Sequence, residues 1–323
     1  MRTSLPFTAL VAGTLACGTA LAQTDYPSRP IRLIVPLAPG GTGDTLARIV
    51  GENLAQELRG QVVTDNRAGA NGIIGVELVV KANPDGYTLL SGSSGNTSLN
   101  AALYGAKLPF NVERDLAPVT QVATTTSVVI TPPSFPAKSI KELIALAKAK
   151  PGTINYASAG TGSAVHLGTV LFESMAGIKM THVPYKGSTP GRVAVVSGEA
   201  DLMFDGLLPS LPLIKAGKLR ALAVTGPRRS AVVPDIPAIA ETVPGYSAQT
   251  WYGIFAPART PQPVVDRLHA TIAKILQRPD VRERLVAQGA EIDATGPREF
   301  AAIVKSDIAQ WTKVVKMAGV KPE

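Results

Sequence analysis

Cysteine is nearly missing from this chain. The 323 residues hold one, Cys17, inside a segment that reads as a cleaved leader. A mature chain without cysteine excludes disulfides, thiol nucleophiles and cysteine-ligated metal. Histidine is scarce too: His166, His182 and His269 are the three copies, and no pair stands at metal-ligand spacing on a helix. No metal or other cofactor is expected. Aromatic residues make up 5% of the chain, and few of them sit among the basic residues. Net charge is +8, but the basic residues are dispersed and the densest groups are as short as Arg228-Arg229. That pattern does not make a nucleic-acid surface. Beyond the leader, no apolar run approaches the roughly 20 residues of a membrane helix. The G-x-S-x-G elbow is absent as well, since Gly92-Ser93-Ser94-Gly95 has the wrong spacing, and this speaks against a secreted α/β hydrolase.

The leader has three parts. Arg2 supplies a positive start, Phe7 to Ala16 an apolar stretch, and Ala20-Leu21-Ala22 an A-x-A cleavage site. Residues 1–22 are therefore expected to be removed on export, with Gln23 as the mature start. A lipoprotein cleaved before Cys17 is the alternative, although Thr14 stands where leucine is usual. Loss of the leader removes one charged residue, Arg2, and takes the net charge from +8 to +7. About 300 residues remain, enough for two ordinary domains.

Two glycine-rich segments share one grammar. Pro39-Gly40-Gly41-Thr42-Gly43-Asp44 follows the strand-like run Ile31–Leu37, and Ser158-Ala159-Gly160-Thr161-Gly162-Ser163 follows Ile154–Ala157. Each opens a segment of helical period. A strand entering glycines and then a helix leaves N–H groups unpaired at the positive end of the helix dipole. Neither loop continues as Gly-Lys-Ser/Thr, and neither has the third glycine of the dinucleotide fingerprint. Ser158, Thr161 and Ser163 add hydroxyl donors. Such a neutral, donor-rich site suits a carboxylate. Asp44 and Ser163 stand where helix N-caps would serve. His166, in the first turn after the second loop, suits a neutral hydrogen-bonding role better than a general base. His182 is placed to border a cleft. Asp205 follows the strand Asp201–Phe204, where α/β sheets present ligand residues; a turn role with Gly206 is the alternative.

Strand-like and helical segments alternate, which predicts an α/β fold with largely parallel sheets. Helices are expected at Thr42–Leu58, Asn71–Lys81, from Ser139 to Pro151, from the second loop to Met175, and over Pro190–Ser197 and Leu208–Ala216. Three more are expected from Pro261 to Gln277, at Val281–Gln288 and at Pro297–Met317. Strands are expected at Gln61–Thr64, Tyr87–Leu90, Thr124–Thr131, Asp201–Phe204, Leu219–Val224 and Trp251–Ala256, with Ser91–Asn96 as a polar loop. Residues 139–225 make a complete αβ set, and the flanking parts make another. The layout is that of a hinged binding protein, with residues 23–126 and 252–323 as one lobe and 127–251 as the other.

The chain resembles the Bug family of periplasmic solute-binding proteins, the receptors of tripartite tricarboxylate transporters. The resemblance spans nearly the whole mature sequence. It rests on Tyr26-Pro27-Ser28-Arg29-Pro30, Pro39-Gly40-Gly41 with Asp44, and Asn66-Arg67-Ala68-Gly69-Ala70-Asn71-Gly72. Pro84-Asp85-Gly86-Tyr87-Thr88, Tyr156 to Gly162 with His166, and Val183-Pro184-Tyr185-Lys186-Gly187 extend it. Asp201 to Asp205, Ala216 to Ala223 and Trp251-Tyr252-Gly253 complete it. Ala68 replaces a usual proline and Asn71 a common glycine, both outside the two glycine loops. The resemblance implies a two-lobed, flytrap-like fold (type II-like) with a carboxylated ligand between lobes, held in part through water. It implies contacts from Gly40, Gly41 and Thr42 on one lobe and Ser158, Gly160, Thr161 and Ser163 on the other, with Ser93, Asn96, Tyr185 and Asp205 as further cleft residues. It also implies a periplasmic, monomeric receptor that is not an enzyme and that delivers its ligand to membrane permease subunits. A periplasmic partner of a membrane sensor is the alternative that the residues leave open.

Overall fold

The computed structural model describes residues 26–321. The leader and Cys17 lie outside them. Eleven strands occur among the described residues: β1 Ile31–Val35, β2 Val62–Asn66, β3 Thr88–Ser93, β4 Leu116–Thr125, β5 Ser127–Thr131, β6 Asn155–Ser158, β7 Thr181–Pro184, β8 Leu202–Gly206, β9 Arg220–Val224, β10 Thr250–Pro257 and β11 Ala290–Thr295. The helices are α1 Thr42–Glu57, α2 Ile73–Val80, α3 Asn100–Tyr104, α4 Val112–Asp115, α5 Ile140–Ala149, α6 Ala164–Ala176, α7 Ser188–Ser197, α8 Leu207–Lys215, α9 Gln262–Gln277, α10 Pro279–Val286 and α11 Pro297–Ala318. No helix among the described residues is long and apolar enough to cross a membrane.

The strands form two sheets, ordered β11-β4-β10-β3-β1-β2 and β7-β6-β8-β5-β9. Both are α/β layers with helices on two faces, and the strand β1 shows why. Ile31, Leu33 and Val35 face α1 and α9, while Ile34 faces the other way, into the cluster of α2, Phe255 and Phe300. A strand buried on both faces must be apolar at successive positions, and Leu33, Ile34 and Val35 are; Arg32, near the start of the strand, is partly exposed and pairs with Asp65. The helix α1 supplies a matching stripe, Leu46, Ile49, Val50 and Leu54. In the second sheet Val129 faces the cluster that includes α5 and α6, and Val128 and Ile130 face the cluster of α7 and α8.

The sheets are mixed, not largely parallel. The pairs β1/β2, β1/β3, β6/β7 and β6/β8 are parallel, but β10 runs against β3 and β4, and β5 runs against β8 and β9. Those two are the strands by which the chain arrives from the other sheet. The run Thr124–Thr131 is not one strand: Thr126 separates β4 in the first sheet from β5 in the second. The return passes through residues 225–249.

The helix α11 serves both halves. At about 1.5 Å per residue its 22 residues span about 33 Å. Phe300 and Val304 pack in the first half, whereas Trp311, Val314 and Val315 join the core of the second. Near its start, β10 passes so close that a Cβ on Gly253 would lie 2.3 Å from the Phe300 ring and 2.9 Å from the Thr120 carbonyl oxygen. Only glycine fits that crossing.

Candidate functional site

Between β1 and α1 the first glycine loop is pinned by Asp44. This carboxylate is 3% exposed. It accepts from the Gly40 N–H at 2.9 Å, from Arg48 Nε at 3.0 Å and from Asn66 Nδ2 at 2.8 Å. Burial works to raise the carboxyl pKa, but the bonds from Arg48, Gly40 and Asn66 outweigh it and hold Asp44 below the usual range. Asp44 is thus not the N-cap, which is Gly41; it lies in the first turn and reaches back to fix the loop. Gly40 spends its N–H on that bond. The amides of Thr42 and Gly43 begin the helix and have no intrahelical acceptor.

The second loop is held from beneath. Ser158 is fully buried, and its Oγ accepts from the Gly160 N–H at 3.1 Å and meets His182 Nε2 at 2.6 Å. The Gly162 N–H donates to His166 Nδ1 at 3.0 Å. Ser163 is the N-cap of α6 and accepts from the His166 N–H at 3.2 Å. Gly160 and Gly162 have φ of 121° and 77°, a region that glycine enters without strain. The imidazoles of His166 and His182 stack at 4.0 Å, and Tyr156 stacks on His182 at 5.0 Å. Burial, then the neighbouring His182, pushes His166 down to about 4, and burial lowers His182. Both rings are therefore neutral at physiological pH, as the acceptor role of His166 Nδ1 requires.

Two cavities open between the sheets. One, of about 250 Å³, is lined by the first residues of four helices: Thr42 of α1, Ala164 and Val165 of α6, Ser188 of α7, and Leu207 and Leu208 of α8. The crossing segment Thr125 to Ser127 and the aromatic residues Tyr252 and Trp311 complete its walls. The other, of about 430 Å³, lies between Ala159–Ala164 on one side and Ala68, Asn71, Ser93 and Asn96 on the other. Gly95, Leu99 and Ala164 belong to both. Among the described residues, no Asp, Glu, Lys or Arg lines either cavity. Donors in place of fixed cations are what both offer.

The sequence candidates distribute as follows. Thr42 lines the smaller cavity; Ser93, Asn96, Gly160, Thr161 and Ser163 line the larger. Asn96 is 2% exposed, its Oδ1 accepts from the Ser93 N–H, and its Nδ2 has no acceptor among the described residues. Gly40 and Gly41 are exposed at the loop tip and line neither cavity. Ser158 lies beneath the second loop. Tyr185 lines neither cavity and donates its hydroxyl to Glu199 at 2.9 Å. Asp205 is fully buried, pairs with Arg192 and accepts from Ser210 Oγ at 2.7 Å. Ala68 and Asn71, outside the two glycine loops, line the larger cavity opposite the second loop. Asn71 takes a φ of 52°, which asparagine tolerates where glycine is common in the family.

The sequence places the start of α8 within one residue, but it singles out neither the α7 nor the α8 start as a site element. Each follows a single glycine, Gly187 and Gly206, a thinner version of the two-glycine grammar. Pro190 had marked α7 two residues late.

The sequence profile of the tripartite tricarboxylate transporter family receptor matches residues 46–320. A Pseudomonas sp. (strain P51) protein from the tcbD-tcbE intergenic region is 39% identical over 92% of this chain and 92% of its own. The protein BugT of Bordetella pertussis is 36% identical over 95% of each. Among solved structures, R. palustris Rpa4515 with adipate shares 35% identity and a TM-score of 0.76, covering 93% of this chain and all of that one (100%). MatC of Rhodopseudomonas palustris with bound malate shares 32% identity and a TM-score of 0.73, covering 90% of this chain and 100% of the other.

Proposed function

This chain belongs to the tripartite tricarboxylate transporter receptor family, and we propose that it captures a small carboxylate where four helix starts converge. That convergence is the observation that carries the reading. The first residues of α1, α6, α7 and α8 line one cavity, and each dipole end carries about half a positive charge. No basic side chain lines the cavity, so the carboxylate meets donors that need no counter-ion of their own. The larger cavity, reached past Leu99, holds a second polar group, and Asn96 Nδ2 is its donor. The two sheets with their helices, divided at residues 126 and 251, act as the lobes. Ligand binding shifts an open–closed equilibrium toward closure. The receptor works as a periplasmic monomer, exported by residues 1–22, and hands the ligand unaltered to membrane permease subunits. Bound adipate and malate in related structures support a carboxylate with more than one acidic end.

A thermal-shift panel tests this. Succinate, malate, adipate, citrate and terephthalate are compared with adipamide as an uncharged control. At least one acid raises Tm with a saturating concentration dependence, and adipamide does not. A panel in which no acid moves Tm overturns the reading.

A further inference from the structure

A third cavity, of about 630 Å³, lies behind the crossing strands. Its walls come from both halves: Gln121 of β4, Asp293 of β11 and Asp307 of α11 on one side, Arg228 from the returning connection on the other. It is separate from the ligand cleft, although Gln249 and Trp311 line both.

Its chemistry is opposite to that of the cleft. In a chain of net charge +8, three carboxylates, Glu291, Asp293 and Asp307, line this cavity against one cation, Arg228. None of the three has an ion-pair partner within 4.0 Å among the described residues. Gln121 gives a second, independent sign. It is 4% exposed, it donates Nε2 to Asp293 Oδ2 at 2.7 Å, and its Oε1 has no donor among the described residues. A buried acceptor without a donor is costly unless something supplies one. Burial also pushes Asp307 up to about 6, in spite of the bond it accepts from Trp251 Nε1 at 2.9 Å.

We propose that this cavity binds a small alkylammonium or alkyldiammonium ion, its charged ends taken by Glu291, Asp293 and the Gln121 carbonyl oxygen. A metal ion does not fit the same groups. Among the described residues, no three His, Cys, Asp or Glu side chains are gathered to hold one. Dispersed carboxylates match a dispersed cation, and Ile303 with Trp311 offers an apolar wall for the methylene chain. Because the walls come from both halves, the occupant bridges them at the hinge. The Gln310 Nε2 bond to the Ser247 carbonyl oxygen, 3.1 Å, already crosses there.

The test uses 1,4-diaminobutane with the mature full-length protein, read by calorimetry and by thermal shift at low ionic strength. Saturable one-to-one binding is expected. The isosteric change Asp293→Asn with Glu291→Gln weakens it about tenfold or more, as expected for losing charge-assisted bonds. The same pair of changes leaves the Tm of the amine-free protein near that of the wild type. Glu291→Gln alone, which breaks no hydrogen bond, serves if the double variant folds poorly, and it too weakens binding. Absence of saturable binding overturns the site. So does equal affinity in the variants, or an equal Tm rise with sodium chloride at matched ionic strength.

Discussion

His166 offers the sharpest quantitative prediction, because its ring both fixes the second glycine loop and titrates. As an acceptor for the Gly162 N–H, Nδ1 must be unprotonated. The folded protein holds the ring near 4, against an ordinary 6.5, so the unfolded chain takes up the proton first. Stability from this group is therefore complete above about 6.5 and is lost as pH falls through the folded value near 4. A displacement from 6.5 to about 4 corresponds to about 3 kcal/mol, most of which is spent before the folded ring itself titrates. His182, lowered in the same direction, adds to the effect.

Urea unfolding from about pH 7.5 to about pH 4.5, on wild type and on His166→Phe, isolates the contribution, since the carboxylates common to both cancel. The wild type should lose about 2 to 3 kcal/mol more than the variant across that range. At neutral pH the variant starts roughly 1 kcal/mol lower, because Gly162 N–H loses its acceptor. His166→Asn separates the two roles: its Oδ1 hangs from Cγ as Nδ1 does, so it restores the acceptor without the titration. Ligand affinity follows a different window. The Gly162 bond persists in the folded protein until about pH 4, so affinity holds well below the pH at which stability begins to fall. Parallel stability curves for wild type and His166→Phe would refute the assignment of this ring as a buried neutral acceptor.

The remaining predictions concern the cleft and the core beneath it. Thr42→Pro removes one N–H from the smaller cavity while suiting the first position of α1, which Gly41 enters extended at φ −81° and ψ 167°. Loss of one charge-assisted donor costs about 1.5 to 3 kcal/mol, so titration with the acid found in the panel should show roughly tenfold to hundredfold weaker binding at unchanged Tm. Unaltered affinity would remove the α1 terminus from the site. Arg192→Met leaves Asp205, fully buried, with Ser210 as its remaining donor. The cost is about 3 to 5 kcal/mol by denaturation, and Asp205→Leu in the same chain should recover much of it. A loss under about 1 kcal/mol would mean that water reaches the pair.

What the sequence disclosed follows from how local each signal is. The strand β1 and the stripe of α1 were readable because burial on defined faces imposes a period on neighbouring residues. By contrast, β7 and β11 escaped. Both are edge strands, β7 is largely exposed and ends in Pro184, and β11 carries Glu291 and Asp293, so neither shows a buried alternation. The polar stretch Ser91 to Asn96 reads as a loop, yet Ser91 to Ser93 finish β3 and Gly95–Leu99 is a largely buried turn of π-helix entering α3. Two of the polar side chains there are met by the backbone: Thr97 Oγ1 donates to the Ser93 carbonyl oxygen at 2.7 Å and Asn100 Nδ2 to that of Asn71 at 2.9 Å. Composition cannot report that kind of satisfaction, since it depends on residues that folding brings close.

The site divides along the same line. Two glycines before a helix marked α1 and α6, but one glycine before α7 and α8 is no signal on its own. The role proposed for them rests on β6 and β8, parallel and adjacent, which both end toward the crossing at Thr126, so that the helices following that edge of the sheet begin at one place. The same geometry would account for a cavity that no lysine or arginine lines among the described residues of a basic chain. In the proposed site four dipole ends supply the positive potential, and a fixed side-chain cation would hold the carboxylate when the proposed lobes open. A receptor that must release what it catches is better served by amides whose alignment on the ligand depends on closure.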